Sequence, residues 1–370
     1  MQTGSGWSRR FALAAAAAAG VLALGGGAKA EDATLNYLGW YDETIAKVLE
    51  DFTAKTGIKV NFKNFESNEE AFNILRADPT AWDLVAGDGY WPKRYYEERL
   101  TQEFDPTQLS SWNQLYPAFH KFATETWAGK TPGNIVAYPG TWGDYQVTVL
   151  STKVTKKLES WADLWDPAYK GRILISGQGN EMLALTAISM GTPLKSVYDL
   201  SADELKPVTD KLIALKPNIR KVYANIDEIG ASMKQEDSWI ALTWSAAMAN
   251  QLGDQGIAAE AYVPGGKTVG WVNCVMVTAG TQHKKEALEF LNFLYSKEER
   301  LVRWKSLQTG DHVAESNQQF VEYLKANGDA PTVAKLDMEH PEAVFDMELF
   351  KAPKDLDAYV NAWNQWTAAQ

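Results

Sequence analysis

From residue 34 onward the chain alternates short apolar runs with stretches of helical periodicity. Residues 34–38 alternate polar and apolar side chains and predict a strand, broken by Gly39-Trp40. Ile45, Val48, Leu49 and Phe52 then recur at helical spacing, with Asp42 and Glu43 ahead of them and Gly57 as the stop. Residues 58–65 predict a second strand. Ser67 with Glu70 predicts a capping box that opens a helix reaching to about Arg76. Residues 83–87 are a short apolar run and predict a buried strand. Asp88-Gly89 predicts a turn, and a helix follows from Pro92. This β-α-β-α-β-α order predicts an open α/β sheet, in which ligands gather at the C-terminal ends of strands. Trp40, Tyr41 and Asp42 follow the first strand, and Asp88 and Tyr90 the third.

The pattern restarts further on. A short helix is expected at 161–165, a strand at 171–176, a loop through Gln178 and a helix at 181–190. Another helix is expected at 202–215, a strand at 238–243, a helix from Ala246 and a strand at 269–278. Helices follow at 282–296, 316–325 and 355–366. No Pro/Gly/Ser-rich linker separates the two series. That predicts two lobes joined by more than one crossing strand.

The N-terminus breaks the pattern. Arg9 and Arg10 precede an Ala/Leu/Val-rich run from Phe11 to Leu24, and Ala28-Lys29-Ala30 is a small-residue cleavage pattern. Residues 1–30 are therefore expected to be a signal peptide. Ser8-Arg9-Arg10-Phe11 is a partial match to the twin-arginine type. With no cysteine beside the cleavage pattern, no lipid anchor is expected, and the exported chain should be soluble in a bacterial periplasm.

Composition narrows the chemistry. The chain has 370 residues and a formal charge of −11, and losing Arg9, Arg10 and Lys29 with the leader leaves it three units more negative. Nucleic acid is thereby excluded as an expected partner. Cys274 stands alone, so neither a disulfide nor a cysteine-based metal site can form within the chain. His120, His283, His312 and His340 do not pair at metal-ligand spacing, and no metal or cofactor is expected. Gly129-Lys130-Thr131 and Gly266-Lys267-Thr268 lack the upstream glycine of a phosphate loop. There are 15 tryptophans, which suit either a core or a cation-binding cavity.

At this point a resemblance is specific. Tyr37-Leu38-Gly39-Trp40, Thr56-Gly57-Ile58-Lys59-Val60 and Phe65-Glu66-Ser67-Asn68-Glu69 occur in order with Trp82-Asp83-Leu84-Val85. Tyr138 with Trp142-Gly143, then Ser160-Trp161-Ala162-Asp163-Leu164-Trp165, Trp244 and Gly270-Trp271 continue the series. Across the chain after residue 30 the sequence resembles the periplasmic spermidine/putrescine-binding proteins of ABC importers. That resemblance implies a two-lobed periplasmic binding protein-like fold of type II, with two β-crossovers near 138–144 and 264–270 as the hinge. Lobe 1 would comprise 31–140 plus 268–305, and lobe 2 would comprise 141–267 plus 306–370.

It also implies a monomeric solute-binding protein, without catalysis, that passes a small-molecule amine to permease subunits at the inner membrane. The implied binding residues are Trp40, Tyr41, Asp42, Asp88, Tyr90, Gln178, Glu181, Trp244, Trp271 and Asn273. Two positions depart from the family pattern. Gln178 and Asn273 stand where the family has aspartates; both keep a carbonyl acceptor and lose the charge. Asp88, Asp144 or Asp311 would then have to compensate. The departure leaves a second ligand class open: a zwitterionic or quaternary amine such as a GABA-like amino acid, an opine or a choline derivative. An exported carbohydrate-active enzyme, with its carboxylate pair drawn from distant segments, is the alternative of a different class.

Overall fold

The computed structural model describes residues 33–40, 45–223 and 225–369. The expected signal peptide and two expected site residues, Tyr41 and Asp42, lie outside the described residues.

The first series forms as the periodicity predicts: β1 (Thr34–Gly39), α1 (Ala46–Thr56), β2 (Lys59–Asn64), α2 (Asn68–Ala77), β3 (Leu84–Asp88) and α3 (Trp91–Glu97). Gly57 ends α1 in the left-handed conformation, with φ 81°. At α2 the Ser67 hydroxyl accepts from the Glu70 N–H, as expected, but the Glu70 carboxylate reaches back to the Glu66 N–H rather than to Ser67. Asp88 is not a turn residue. It ends β3, paired in register with Asn273, because the following strand partner continues the ladder one residue further than the apolar run suggests. The turn falls on Gly89 instead.

After β4 (Thr101–Gln102) and α4 (Pro117–Thr126), β5 (Tyr138–Asp144) runs through Tyr145 into β6 (Gln146–Leu150). The second series is β7 (Ile173–Ile175), α5 (Gly179–Ser189), α6 (Ala202–Ile213), β8 (Ile219–Val222), α7 (Ile226–Lys234), β9 (Ile240–Thr243), α8 (Ala247–Asp254) and β10 (Ala259–Tyr262). The chain then returns as β11 (Val269–Thr278), α9 (Lys284–Leu294), α10 (Lys297–Ser306), β12 (Ala314–Glu315), α11 (Gln318–Ala326), α12 (Ala330–Lys335), β13 (Glu348–Leu349) and α13 (Leu356–Ala368).

These strands make two sheets. The larger has the order β12-β5-β11-β3-β1-β2, with β4 and β13 also on β11; the smaller is β10-β6-β9-β7-β8. In the larger sheet β1, β2 and β3 are parallel, and β11 lies antiparallel to both β3 and β5. Its core is one cluster that includes Tyr37, Phe52, Phe72, Trp91, Phe119, Trp127 and Phe290. The smaller sheet packs α5, α6 and α13 over Tyr145, Trp161, Tyr198 and Trp366. Trp112, Trp142 and Trp161 are buried packing residues.

The chain passes between the sheets at 144–146 and again at 262–269, and the two passes are bonded to each other. Tyr145 N–H donates to the Val269 carbonyl (3.0 Å), and the Thr268 hydroxyl donates to the Tyr145 carbonyl (2.7 Å). A third pass runs beside them, where Phe350 N–H donates to the Gly270 carbonyl (2.9 Å).

The expected grouping of 306–370 with the second lobe needs correction. β12 pairs with β5 and β13 with β11, so this stretch belongs by hydrogen bonding to the larger sheet until the third pass carries the chain over. The cause is an interaction between residues close in sequence but invisible to periodicity. Glu315 on β12 is buried against Arg300 and Arg303 of α10, with Arg300 Nε and Nη2 at 2.8 and 2.6 Å and Arg303 Nη1 at 3.1 Å.

Gly89 is the point where the three-pass region meets β3. Its φ is +55°, and a Cβ there would lie 1.8 Å from the Phe350 carbonyl oxygen. Gly89→Ala combines backbone strain with a backbone clash. It should destabilise the protein by at least about 1–3 kcal/mol, read as a lower urea midpoint. An unchanged midpoint would show that the third pass is not held here.

Candidate functional site

The ends of strands from both sheets converge on one cavity of about 230 Å³. Trp40 follows β1 directly, Phe65 follows β2 and Asp88 ends β3. From the other sheet come Ser176, Gly177 and Gln178 after β7, Tyr223 after β8 and Trp244 after β9. Trp271 and Asn273 enter from the start of β11, and Phe350 from the third pass. The antiparallel register explains the last pair: Asn273 lies opposite Asp88, so the beginning of β11 stands at the C-terminal end of β3.

The walls are aromatic. Trp40 packs on Phe65 at 4.2 Å between centroids, and Tyr223 lies 5.8 Å from Trp244. The Trp271 indole N–H donates to the Trp244 carbonyl (3.1 Å) and is thereby held across the floor. Gly143 makes room for it, since a Cβ there would come within 2.7 Å of the Trp271 ring and 2.8 Å of the Trp244 carbonyl oxygen.

Carboxylates supply the electrostatics. Asp88 is buried and accepts from the Asn68 side chain (3.0 Å). Burial pushes its pKa up to about 7, the Asn68 hydrogen bond opposes the rise, and the charge of Glu69 adds to it. Glu181, in the first turn of α5, is also buried, and its pKa is raised well above the carboxylate range by burial first and then by Glu69 and Asp88. Glu69, in the first turn of α2, is raised chiefly by burial too, and its carboxylate accepts from the Asn180 side chain of α5. Three acids, from β3, α2 and α5, thus share one field. None of the described residues lining the cavity is Lys or Arg. The positive charge of Arg94, outside the lining, opposes the rise at Glu69, and taking a carboxylate out of water without a countercharge is costly.

Of the expected site residues, Trp40, Asp88, Gln178, Trp244, Trp271 and Asn273 line the cavity. Glu181 is not among the lining residues; its carboxyl is coupled electrostatically to Glu69 and Asp88. Tyr90 is off the wall: it precedes α3, its ring faces Phe122 at 6.4 Å, and its N–H donates to the Phe350 carbonyl (2.7 Å). Asp144 and Asp311, considered as replacement acids, do not line it either.

Gln178 also differs from expectation. Its carbonyl oxygen accepts from the Tyr145 hydroxyl (2.7 Å), which is itself 2.7 Å from the Ser176 hydroxyl, so one lone pair of the expected acceptor is already engaged. Sequence reasoning missed Phe65, Glu66, Ser67, Ser176, Gly177, Tyr223, Asn225 and Phe350. Ser67 and Asn225 carry a helix-capping signal that marks strand-to-helix loops, and such loops gather at the site in this class of sheet. Phe350 has no local signal at all.

Among the described residues no cluster of His, Cys, Asp and Glu is arranged to hold a metal ion. Nor, among them, is any helix long and apolar enough to cross a membrane.

The profile of the family described as bacterial extracellular solute-binding protein matches residues 47–310. The spermidine/putrescine-binding periplasmic protein of Escherichia coli (strain K12) is 29% identical over 294 residues, covering 78% of this chain and 79% of its own. The putrescine-binding periplasmic protein PotF of the same organism is 27% identical over 277 residues, covering 72% and 74%. Among solved structures, the spermidine/putrescine ABC transporter substrate-binding protein PotD from Streptococcus pneumoniae superposes with a TM-score of 0.67 at 23% identity, covering 90% of this chain and 98% of that one. The two sheets with their shared passes are therefore the two-lobed periplasmic binding protein fold.

Proposed function

Because this chain belongs to the bacterial extracellular solute-binding proteins, we propose that it captures an organic amine of the polyamine class between its two lobes and delivers it, as a monomer, to the permease subunits of an ABC importer. One observation carries the reading. Asp88, with Glu69 and Glu181 in its field, is buried in a cavity lined by Trp40, Trp244 and Trp271 whose described wall holds no basic side chain. An ammonium group supplies the missing countercharge. Methylenes of the ligand lie between Trp40, Trp244 and Trp271, and each ring face in contact with the cation adds about 0.5–2 kcal/mol.

Closure follows from the same groups. The contact between Asn180 and Glu69 joins α5 of one lobe to α2 of the other. A bound cation lowers the repulsion among the three acids, so ligand favours the state in which they are together. A permease that recognises that state then receives only loaded protein. The second reading, a zwitterionic solute, is disfavoured by the same wall, because a ligand carboxylate would find no Lys or Arg there.

The test is thermal unfolding with putrescine, spermidine, cadaverine and agmatine. Ligand at a hundredfold excess over its Kd should add about 2.7 kcal/mol of stability. Melting unchanged by all four, and by their mono-acylated forms, would overturn the reading.

A further inference from the structure

Among the N–H donors of the cavity, the Trp271 indole is held by the Trp244 carbonyl (3.1 Å) and the Asn273 amide by the Thr141 hydroxyl (3.1 Å), which leaves three others. The Trp40 indole is more than nine-tenths buried, and its Nε1–H has no acceptor. Asn225 caps α7, its carbonyl oxygen accepting from the Glu228 N–H (3.1 Å). That bond engages one lone pair of the carbonyl and leaves the amino group of Asn225 as its donor toward the cavity it lines. Gln178 repeats the arrangement. Its carbonyl is held by Tyr145, Tyr145 is bonded to Ser176, and Ser176 in turn accepts from the Gln178 backbone N–H (3.3 Å). Its amino group remains. Three residues that bear N–H donors thus line the same cavity as Asp88.

We propose that the preferred ligand is an N-acylated diamine, with one ammonium directed to Asp88 and one uncharged carbonyl directed to the donors of Trp40, Gln178 and Asn225. This rests on the amine reading above and refines it. A second ammonium can only donate, so placed against these three N–H groups it would set donor facing donor; the other acid of the lining, Glu66, is exposed and does not relieve the buried indole. A carbonyl oxygen has two lone pairs and satisfies two such N–H groups at once. A carboxylate would also accept, but it would bring a second negative charge beside Asp88 with no basic residue to pair it. The buried indole N–H is the telling group: burying a donor without a partner is unfavourable, and an amide carbonyl removes that penalty when it binds.

The experiment is calorimetric titration of the exported chain with N-acetylputrescine, putrescine, spermidine and 4-aminobutyrate, alongside Gln178→Glu. N-acetylputrescine should bind at least tenfold tighter than putrescine, and 4-aminobutyrate should bind weakest. Gln178→Glu keeps an acceptor for Tyr145 and replaces the donor by an acceptor. It should therefore shift the ratio at least tenfold toward putrescine. If amines bind but putrescine or spermidine equals or exceeds N-acetylputrescine, this inference fails and the amine reading stands. A ratio unchanged in Gln178→Glu overturns the donor role of that side chain. If no amine binds, the amine reading itself has failed.

Discussion

Asp88→Asn should weaken amine binding by about a hundredfold, roughly 3 kcal/mol, the scale expected when one partner of a buried charge pair is truncated. Asparagine keeps the size and one acceptor, so the loss reports charge rather than shape. The same residue sets a pH dependence. In the unliganded protein its pKa is raised to about 7, mainly by burial, whereas an unfolded aspartate titrates near 3.9. Between those values the folded state holds more protons than the unfolded one. The contribution of Asp88 to stability is therefore fully present below the unfolded value and is lost as pH rises through about 7.

Ligand binding runs the other way. An ammonium needs the carboxylate ionised, so affinity should rise roughly tenfold from pH 6 to pH 8. Glu69 and Glu181 titrate in the same field, so Asp88→Asn should flatten this rise without abolishing it. Calorimetry across that range is the measurement. An affinity that falls with rising pH would remove Asp88 from the site.

Glu315→Gln should have the largest effect on folding, a loss of about 3–5 kcal/mol. Arg300 and Arg303 are both fully buried, and this carboxylate accepts from each of them. Neutralising it leaves two guanidinium charges in the interior without their common anion. The control is to replace Arg300, Arg303 and Glu315 together by apolar residues of similar volume. That triple variant should recover most of the loss, because the cost lies in the unbalanced charge and not in the space. Urea unfolding distinguishes the two. If Glu315→Gln matched wild type, the assignment of residues 314–349 to the larger sheet would lose its energetic basis.

How far the chain is legible from its pattern depends on the range of the interaction concerned. Strands β1, β2 and β3 and their helices were readable because apolar spacing, Gly57 and the Ser67 cap are local signals. The aromatic half of the site was readable as well, since Trp40 and Trp244 follow strands directly. What failed was long-range. Asp88 reads as a turn residue until Asn273, far along the chain, extends the ladder. Gln178 reads as an acceptor until Tyr145 is seen to occupy its oxygen. Tyr90 reads as a wall residue, but its backbone is tied to Phe350 and its ring turns toward Phe122. The lobe boundary at 306 failed for a different reason: the Arg300–Glu315–Arg303 contact joins residues close in sequence but leaves no trace in periodicity.

β11 carries one further consequence, for the order in which the molecule can assemble. It is the inner strand of the larger sheet, bonded to β3 and β5 and carrying β4 and β13 on its flanks, yet it occupies residues 269–278. Until that stretch has left the ribosome, β3 and β5 have no common neighbour, and the backbone edges they offer to β11 remain open. Loop closure over so many residues is slow, and slow pairing prolongs the exposure of sticky edges. A nascent chain halted before residue 269 should therefore be a chaperone client and a protease substrate, while one halted a few dozen residues beyond β11 should begin to acquire protection.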